Sequence, residues 1–140
     1  MSEQQEQGMN VVDVLIVVDV VGALASGNLT QNVYLVDTNK YVGSGSEGQA
    51  ELKTSIKDGQ VLRWSVVPVS PSTDVEIVGF VGQMVNDKVC VPKKVETVEG
   101  AFWEGRVESR GEAKTEQYSA KLSMDGKEME FDPFLEIKVS

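Results

Sequence analysis

Tyr118-Ser119-Ala120-Lys121-Leu122-Ser123-Met124-Asp125-Gly126-Lys127-Glu128-Met129-Glu130-Phe131 is the stretch that decides the fold. Tyr118, Ala120, Leu122 and Met124 alternate with Gln117, Ser119, Lys121 and Ser123. A period of two is the signature of a strand with one buried face. Asp125-Gly126 then supplies the residue types that tolerate positive φ in a two-residue hairpin turn, which leads into Met129 and Phe131. The two methionines flanking the turn read as core filler. The same grammar recurs elsewhere. Leu135, Ile137 and Val139 alternate with Glu136 and Lys138 in a last strand. Ala50, Leu52, Thr54 and Ile56 alternate with Glu51, Lys53, Ser55 and Lys57, and Asp58-Gly59 predicts a second hairpin. Its return strand carries Leu62, Trp64 and Val66 on one face, with Trp64 in the core, and ends at Pro68 and Pro71.

The opening run from Val11 to Val21 is β-branched nearly throughout, which disfavours helix and predicts a strand buried on both faces. It is too short and too charged to span a bilayer. Asp13 and Asp19 are expected at its ends or at an edge, because an unpaired carboxylate in mid-core costs several kcal/mol. Gly22 to Thr30 reads as a loop and Asn32 to Asp37 as a strand. The glycine-rich stretch Asn39 to Gln49 reads as a mobile or tightly turned connection. Val75 to Val81 is a further strand, with Gly79 and Gly82 marking a bulge or a close approach. Val89 to Val98 is ambiguous: Val91, Val95 and Val98 could line an extended edge segment. Phe102 to Glu108 is a strand closed by the turn Ser109-Arg110-Gly111. These amount to roughly eight or nine short strands and no amphipathic helix, which predicts one all-β domain. The expected architecture is an antiparallel β-sandwich, Ig-like or jelly-roll-like, over 11–140. Residues 1–10, polar and acidic and without the features of a secretory signal, are expected to form a disordered tail.

Composition narrows the chemistry. The 140 residues include no histidine and one cysteine, Cys90. The commonest general acid/base is therefore missing, along with Ser-His and Cys-His nucleophile pairs and His-containing zinc sites. A lone cysteine forms no internal disulfide, so a reducing cytoplasm is the expected compartment and Cys90 the expected buried hydrophobe. The net charge of −9, from 22 acidic and 13 basic residues, repels phosphate backbones and anionic membranes. Neither nucleic-acid binding nor membrane insertion is expected.

Two constellations are left to weigh. Trp103, Glu104 and Arg106 combine a ring face with charged hydrogen-bonding groups, the set that holds a sugar or small molecule. Core packing is the rival account of Trp103, since either Phe102 or Trp103 must face inward. Asp125, Glu128 and Asp132, with Glu130, offer carboxylates for calcium, which takes about six to eight oxygen ligands. The hairpin turn and a solvated strand face explain the same residues without a metal, and no cofactor is expected. Paired carboxylates hydrolyse glycosides without histidine, but nothing in the spacing fixes two of them at a working separation.

Several stretches, taken in order, resemble the bacterial AidA/PixA family, also described as the inclusion-body protein family. They are Val12-Asp13-Val14-Leu15-Ile16-Val17-Val18-Asp19, Asn32-Val33-Tyr34-Leu35-Val36, and Gly43-Ser44-Gly45 leading to Ala50-Glu51-Leu52. Asp58-Gly59 before Trp64, Asp74-Val75-Glu76-Ile77-Val78, and Met124-Asp125-Gly126-Lys127 with Phe131-Asp132-Pro133 follow. The resemblance implies a compact β-sandwich, no enzymatic activity and no catalytic residues. It also implies an association with protein inclusions or with density-dependent (quorum-sensing-linked) programmes. The inclusion-forming members are longer and methionine-rich, and this chain is neither.

The expectation is thus a non-catalytic protein that binds or self-assembles, as a homo-oligomer. Its grounds are the apolar first strand and the valine-rich Val89–Val98 segment, either of which can expose an edge. The alternative is a lectin-like carbohydrate-binding module on Trp103, Glu104 and Arg106, with or without calcium.

Overall fold

Asp125 and Gly126 take φ of 52° and 80°, and the register places Met124 opposite Lys127. This is the two-residue turn that the sequence predicts, and it joins β9 (Ser119–Met124) to β10 (Lys127–Phe131). The computed structural model describes residues 11–38 and 51–139. The expected tail 1–10 and the glycine-rich connection Asn39 to Gln49 lie outside the described residues.

Eleven strands are described, in three sheets. Five build the largest, in the order β2 (Val33–Asp37), β1 (Val11–Val18), β4 (Val61–Pro68), β7 (Gly100–Arg106), β6 (Lys93–Thr97). A second holds β10, β9 and β5 (Glu76–Val81), and a third β3 (Lys53–Lys57), β11 (Phe134–Lys138) and β8 (Lys114–Gln117). The fold is an all-β sandwich in one domain. Two of the eight described pairings, β1 with β4 and β3 with β11, are parallel, so the sheets are mixed rather than wholly antiparallel.

The core is aromatic at its centre. Trp64 is fully buried, and its indole Nε1 donates to the Tyr118 hydroxyl at 3.1 Å. Phe80 lies between Trp64 (centroids 4.6 Å apart) and Trp103 (5.5 Å). Both indole N–H groups are satisfied, because Trp103 Nε1 donates to the Ile77 carbonyl. Tilted and edge-on packing of this kind suits the ring quadrupoles. Met124 is buried and Met129 packs against the same core, as the sequence indicates.

Several expectations are corrected. The opening run is one-faced: Val12, Val14, Ile16 and Val18 are buried, whereas Asp13 and Leu15 are exposed. Asp13 sits in mid-strand, tolerated because its face meets solvent. Asp19 ends β1 and caps a helix, α1 (Val20–Ser26), where a strand end and loop are expected. Its carboxylate accepts from Gly22 N at 3.0 Å, and Gly27 at φ 71° closes the helix. Two good caps outweigh the β-branched Val20 and Val21. Gln117 to Met124 is not one strand. The chain changes sheets at Tyr118, so that β8 pairs with β11 and β9 pairs with β5 and β10.

Asp58-Gly59 makes no hairpin, because β3 and β4 belong to different sheets. Asp58 instead accepts from Ser109 N (2.7 Å) and Gly111 N (2.8 Å), and those amides hold its carboxyl below the usual range. The turn is a corner between sheets. Its carboxylate orders the neighbouring Ser109–Gly111 loop, in which Arg110 and Gly111 take φ of 59° and 80°.

The glycines of β5 behave as expected. The β5–β9 register slips between Ile77 and Gly79, which is a bulge. Gly82 approaches the Tyr118 backbone. Val89–Val98 resolves into a buried start, with Val89 and Cys90, and the edge strand β6. At the far edge of the large sheet, buried Thr54 donates its hydroxyl to the Asp37 carboxylate at 2.8 Å and links β3 to β2.

Candidate functional site

Trp103, Glu104 and Arg106 all lie on β7, but the structure does not bring them together. Successive side chains of a strand point to opposite faces. Trp103 pairs with Trp64 and faces inward, whereas Glu104 pairs with Arg63 on the outer face. The Glu104 carboxylate meets Arg63 Nε at 2.9 Å, and the Arg63 guanidinium lies 5.3 Å from the Phe102 ring centre. Arg106 Nη1 donates to the Gly59 carbonyl at 2.6 Å, fastening the sheet corner. The two charged groups are thus engaged on the outer face, while Trp103 is tied to the core.

The carboxylates weighed for calcium are also separated. Asp125 occupies the turn before β10, Glu128 points to solvent from that strand, and Asp132 follows its far end. At about 3.3 Å per residue the strand holds Asp125 and Asp132 well beyond a shared coordination shell. Asp132 accepts from the Ser119 hydroxyl. Among the described residues, no three acidic or cysteine side chains converge on a point that would hold a metal ion.

Cys90 is buried. Burial, with the Glu108 charge adding, pushes its thiol up to about 12, which makes it unreactive at neutral pH. Its sulfur packs where a Gly105 side chain would stand, since a Cβ there would lie 2.7 Å from Sγ.

Glu116, on β8, is also buried, and its Oε1 has no hydrogen-bond partner among the described residues. Burial, and then the carboxylate of Asp87, push its carboxyl above the usual range, while Lys114 pulls the other way. A carboxyl raised in the folded state favours folding most below its unfolded value and loses that contribution as pH rises through the folded one. Glu116→Gln is therefore expected to melt a few degrees above the parent at pH 7, with the gap closing towards pH 4. Melting curves across that range check it, and a gap independent of pH contradicts it.

Two surfaces remain, and neither is picked out by a motif. The first is the outer face of the large sheet. The register sets Val36 beside Leu15 and Tyr34 beside Val17, which in turn adjoins Val67. Leu15, Tyr34, Val36 and Val67 are each between 37% and 50% exposed, and together with half-buried Val17 they form one apolar field. A row of alternating charge, Asp13, Arg63, Glu104 and Lys93, borders it across four strands. The sequence signal was apolar residues at both parities of β1 and β2. That pattern fits burial on two faces or exposure of one apolar face, and sequence alone does not separate them. The second surface is an open groove of about 640 Å³ between β4, the start of β5 and the β6–β7 hairpin, with Trp103 in its wall.

Comparison with known proteins follows the fold. A crystal structure of an inclusion body protein (PixA) from Burkholderia cenocepacia superposes with a TM-score of 0.69 at 12% identity, covering 94% of this chain and 95% of that one. The AidA/PixA resemblance is borne out in the architecture. An endo-fucoidan hydrolase of glycoside hydrolase family 107 overlays over 66% of this chain and 13% of its own, with a TM-score of 0.40 and 7% identity, too loosely to bear on chemistry. None of the curated proteins matches this chain. No described helix is long and apolar enough to cross a membrane. A family model matches residues 10–130, most of the sequence, and the chain belongs to the family described as Domain of unknown function (DUF8788).

Proposed function

We propose that this chain is a non-catalytic protein of the PixA-like fold, working in a reducing cytoplasm by self-association through the outer face of its five-stranded sheet. The observation that carries the proposal is the apolar field of Leu15, Val17, Tyr34, Val36 and Val67. Contiguous exposed apolar surface marks interaction sites. The bordering row alternates in sign, so a second copy can set acid against base along it. Of the two edges expected from sequence, β1 is no edge, since it lies between β2 and β4, and β6 is the poorer candidate because Lys93, Lys94 and Glu96 blunt it. A role in density-dependent programmes or inclusions would rest on such assembly, which is steeply concentration-dependent.

Light scattering over a concentration series tests the proposal. Mass above the monomer is expected at tens of micromolar. It should grow with salt, because screening weakens the mutual repulsion of chains carrying −9. Leu15→Glu is expected to return the monomer with its melting temperature nearly unchanged, since the side chain already meets solvent. A clean monomer for the parent at every salt concentration refutes the proposal.

A further inference from the structure

The large sheet is forked. The antiparallel register of β4 and β7 runs Val61↔Arg106, Leu62↔Gly105, Arg63↔Glu104, Trp64↔Trp103 and stops there. Both strands go on: β4 continues to Pro68 and β7 begins at Gly100. Continued, the register would pair Ser65 with Phe102, Val66 with Ala101 and Val67 with Gly100. None of these pairs forms among the described residues. The same six residues line the groove of about 640 Å³. Its volume is that of an ordinary ligand site, about 300–1,000 Å³. The strands part where the Trp103 indole turns to the Ile77 carbonyl and draws β7 towards β5.

Among the described residues, such a fork leaves two short lengths of strand unpaired on the edge that faces the gap. Exposed edges recruit extended peptides through main-chain hydrogen bonds, with side-chain pockets selecting alternate residues. The inner wall offers Val66, Val75, Ile77 and the Trp103 ring to apolar side chains. Among the described residues the rim carries Glu76 and Glu99, and its one cation, Lys94, is paired with Glu96 at 3.4 Å. The surplus is acidic.

We propose that the fork between β4 and β7 is a strand-accepting site for an extended segment of a partner protein, apolar at alternate positions and flanked by basic residues. Three residues on each arm give about 10 Å of edge, enough for the centre of such a segment. The acidic rim and the overall charge of −9 select a cationic peptide over an extended stretch of a second, equally acidic copy. This site adjoins the assembly face, with Val67 at their common border, and stands on a different observation.

The probe is a synthetic peptide of alternating valine and threonine with two lysines at each end, titrated into the full chain and followed by backbone NMR. Saturable binding is expected, with slowed amide exchange centred on Val66 and Ala101, whose main-chain groups face the gap, whereas their neighbours turn to β1 and β6. Methylating alternate backbone nitrogens of the peptide, or replacing its lysines with glutamates, should each weaken binding by about tenfold or more. Ala101→Arg, on an exposed side chain in the groove wall, should do the same and leave the melting temperature unchanged. Equal binding of the methylated peptide overturns main-chain pairing, and equal binding of the glutamate peptide overturns the charge selection. No saturation with any peptide, or contacts between two copies of this chain across the fork, overturns the site.

Discussion

Trp64→Ala is expected to lower the unfolding free energy by about 3–5 kcal/mol, the range for deleting a large buried aromatic. Trp64 is fully buried and makes ring contacts with both Phe80 and Tyr118. Removing the indole opens a cavity at the junction of the sheets and strips the Tyr118 hydroxyl, in a fully buried residue, of its donor. A stranded buried polar group adds about 1–3 kcal/mol where no water replaces the partner. Urea denaturation with an unchanged slope measures the loss. The polar share is isolated by a cycle of Trp64→Phe and Tyr118→Phe. Each single change breaks the 3.1 Å bond, so the double change should cost less than the sum of the two. Strict additivity would show that the bond adds nothing to stability.

Gly82→Ala is expected to cost about 2–4 kcal/mol, more than any other glycine-to-alanine change at a described turn. Gly82 takes φ 110° and ψ −168°, a region open to glycine and essentially closed to other residues. A Cβ there would also stand 3.1 Å from Tyr118 Cα and 3.3 Å from Ser119 N, and backbone does not give way as a side chain does. Strain of about 1–3 kcal/mol and overpacking of similar size act together. Gly27 is the control. It has φ 71° with nothing near its missing Cβ, so Gly27→Ala should show only the left-handed cost of about 1–2 kcal/mol. Equal losses at both positions would mean that the contact with Tyr118 is not tight.

Gly82 also shows how much of the fold the sequence carries. It marks a close approach, but not to what: its neighbour is the residue at which the chain leaves one sheet for another. Alternation gives the strands and their faces, because period two is a local property of the backbone. It does not give partners. Gln117 to Met124 keeps perfect alternation across Tyr118 while pairing with β11 before it and with β5 and β10 after it. Asp58-Gly59 and Asp125-Gly126 are the same dipeptide with the same propensity, yet one is a corner and the other a hairpin. The difference lies in the Ser109–Gly111 amides that claim the Asp58 carboxylate from 51 and 53 residues away.

The surfaces were less legible than the strands. Trp103, Glu104 and Arg106 are adjacent in sequence, and adjacency on a strand is what parts them between two faces. The acidic run Asp125 to Asp132 is likewise drawn out along β10. The features that carry the functional proposals depend on three-dimensional relations. One is an apolar face that no described element covers, and the other is a register that stops short at Trp64↔Trp103. The sequence holds both sets of residues but neither relation.

Intermolecular paramagnetic broadening tests the assembly face most directly. Gln31 is exposed beside β2, and a spin label on Gln31→Cys meets no competition from Cys90, whose thiol is buried and held at about 12. Labelled chain is mixed with unlabelled, isotope-enriched chain. Self-association through this face broadens the unlabelled copy at Leu15, Tyr34, Val36 and Val67, an effect that grows with concentration and is lost in Leu15→Glu. Broadening centred on β10 or β11, or none at any concentration, contradicts it.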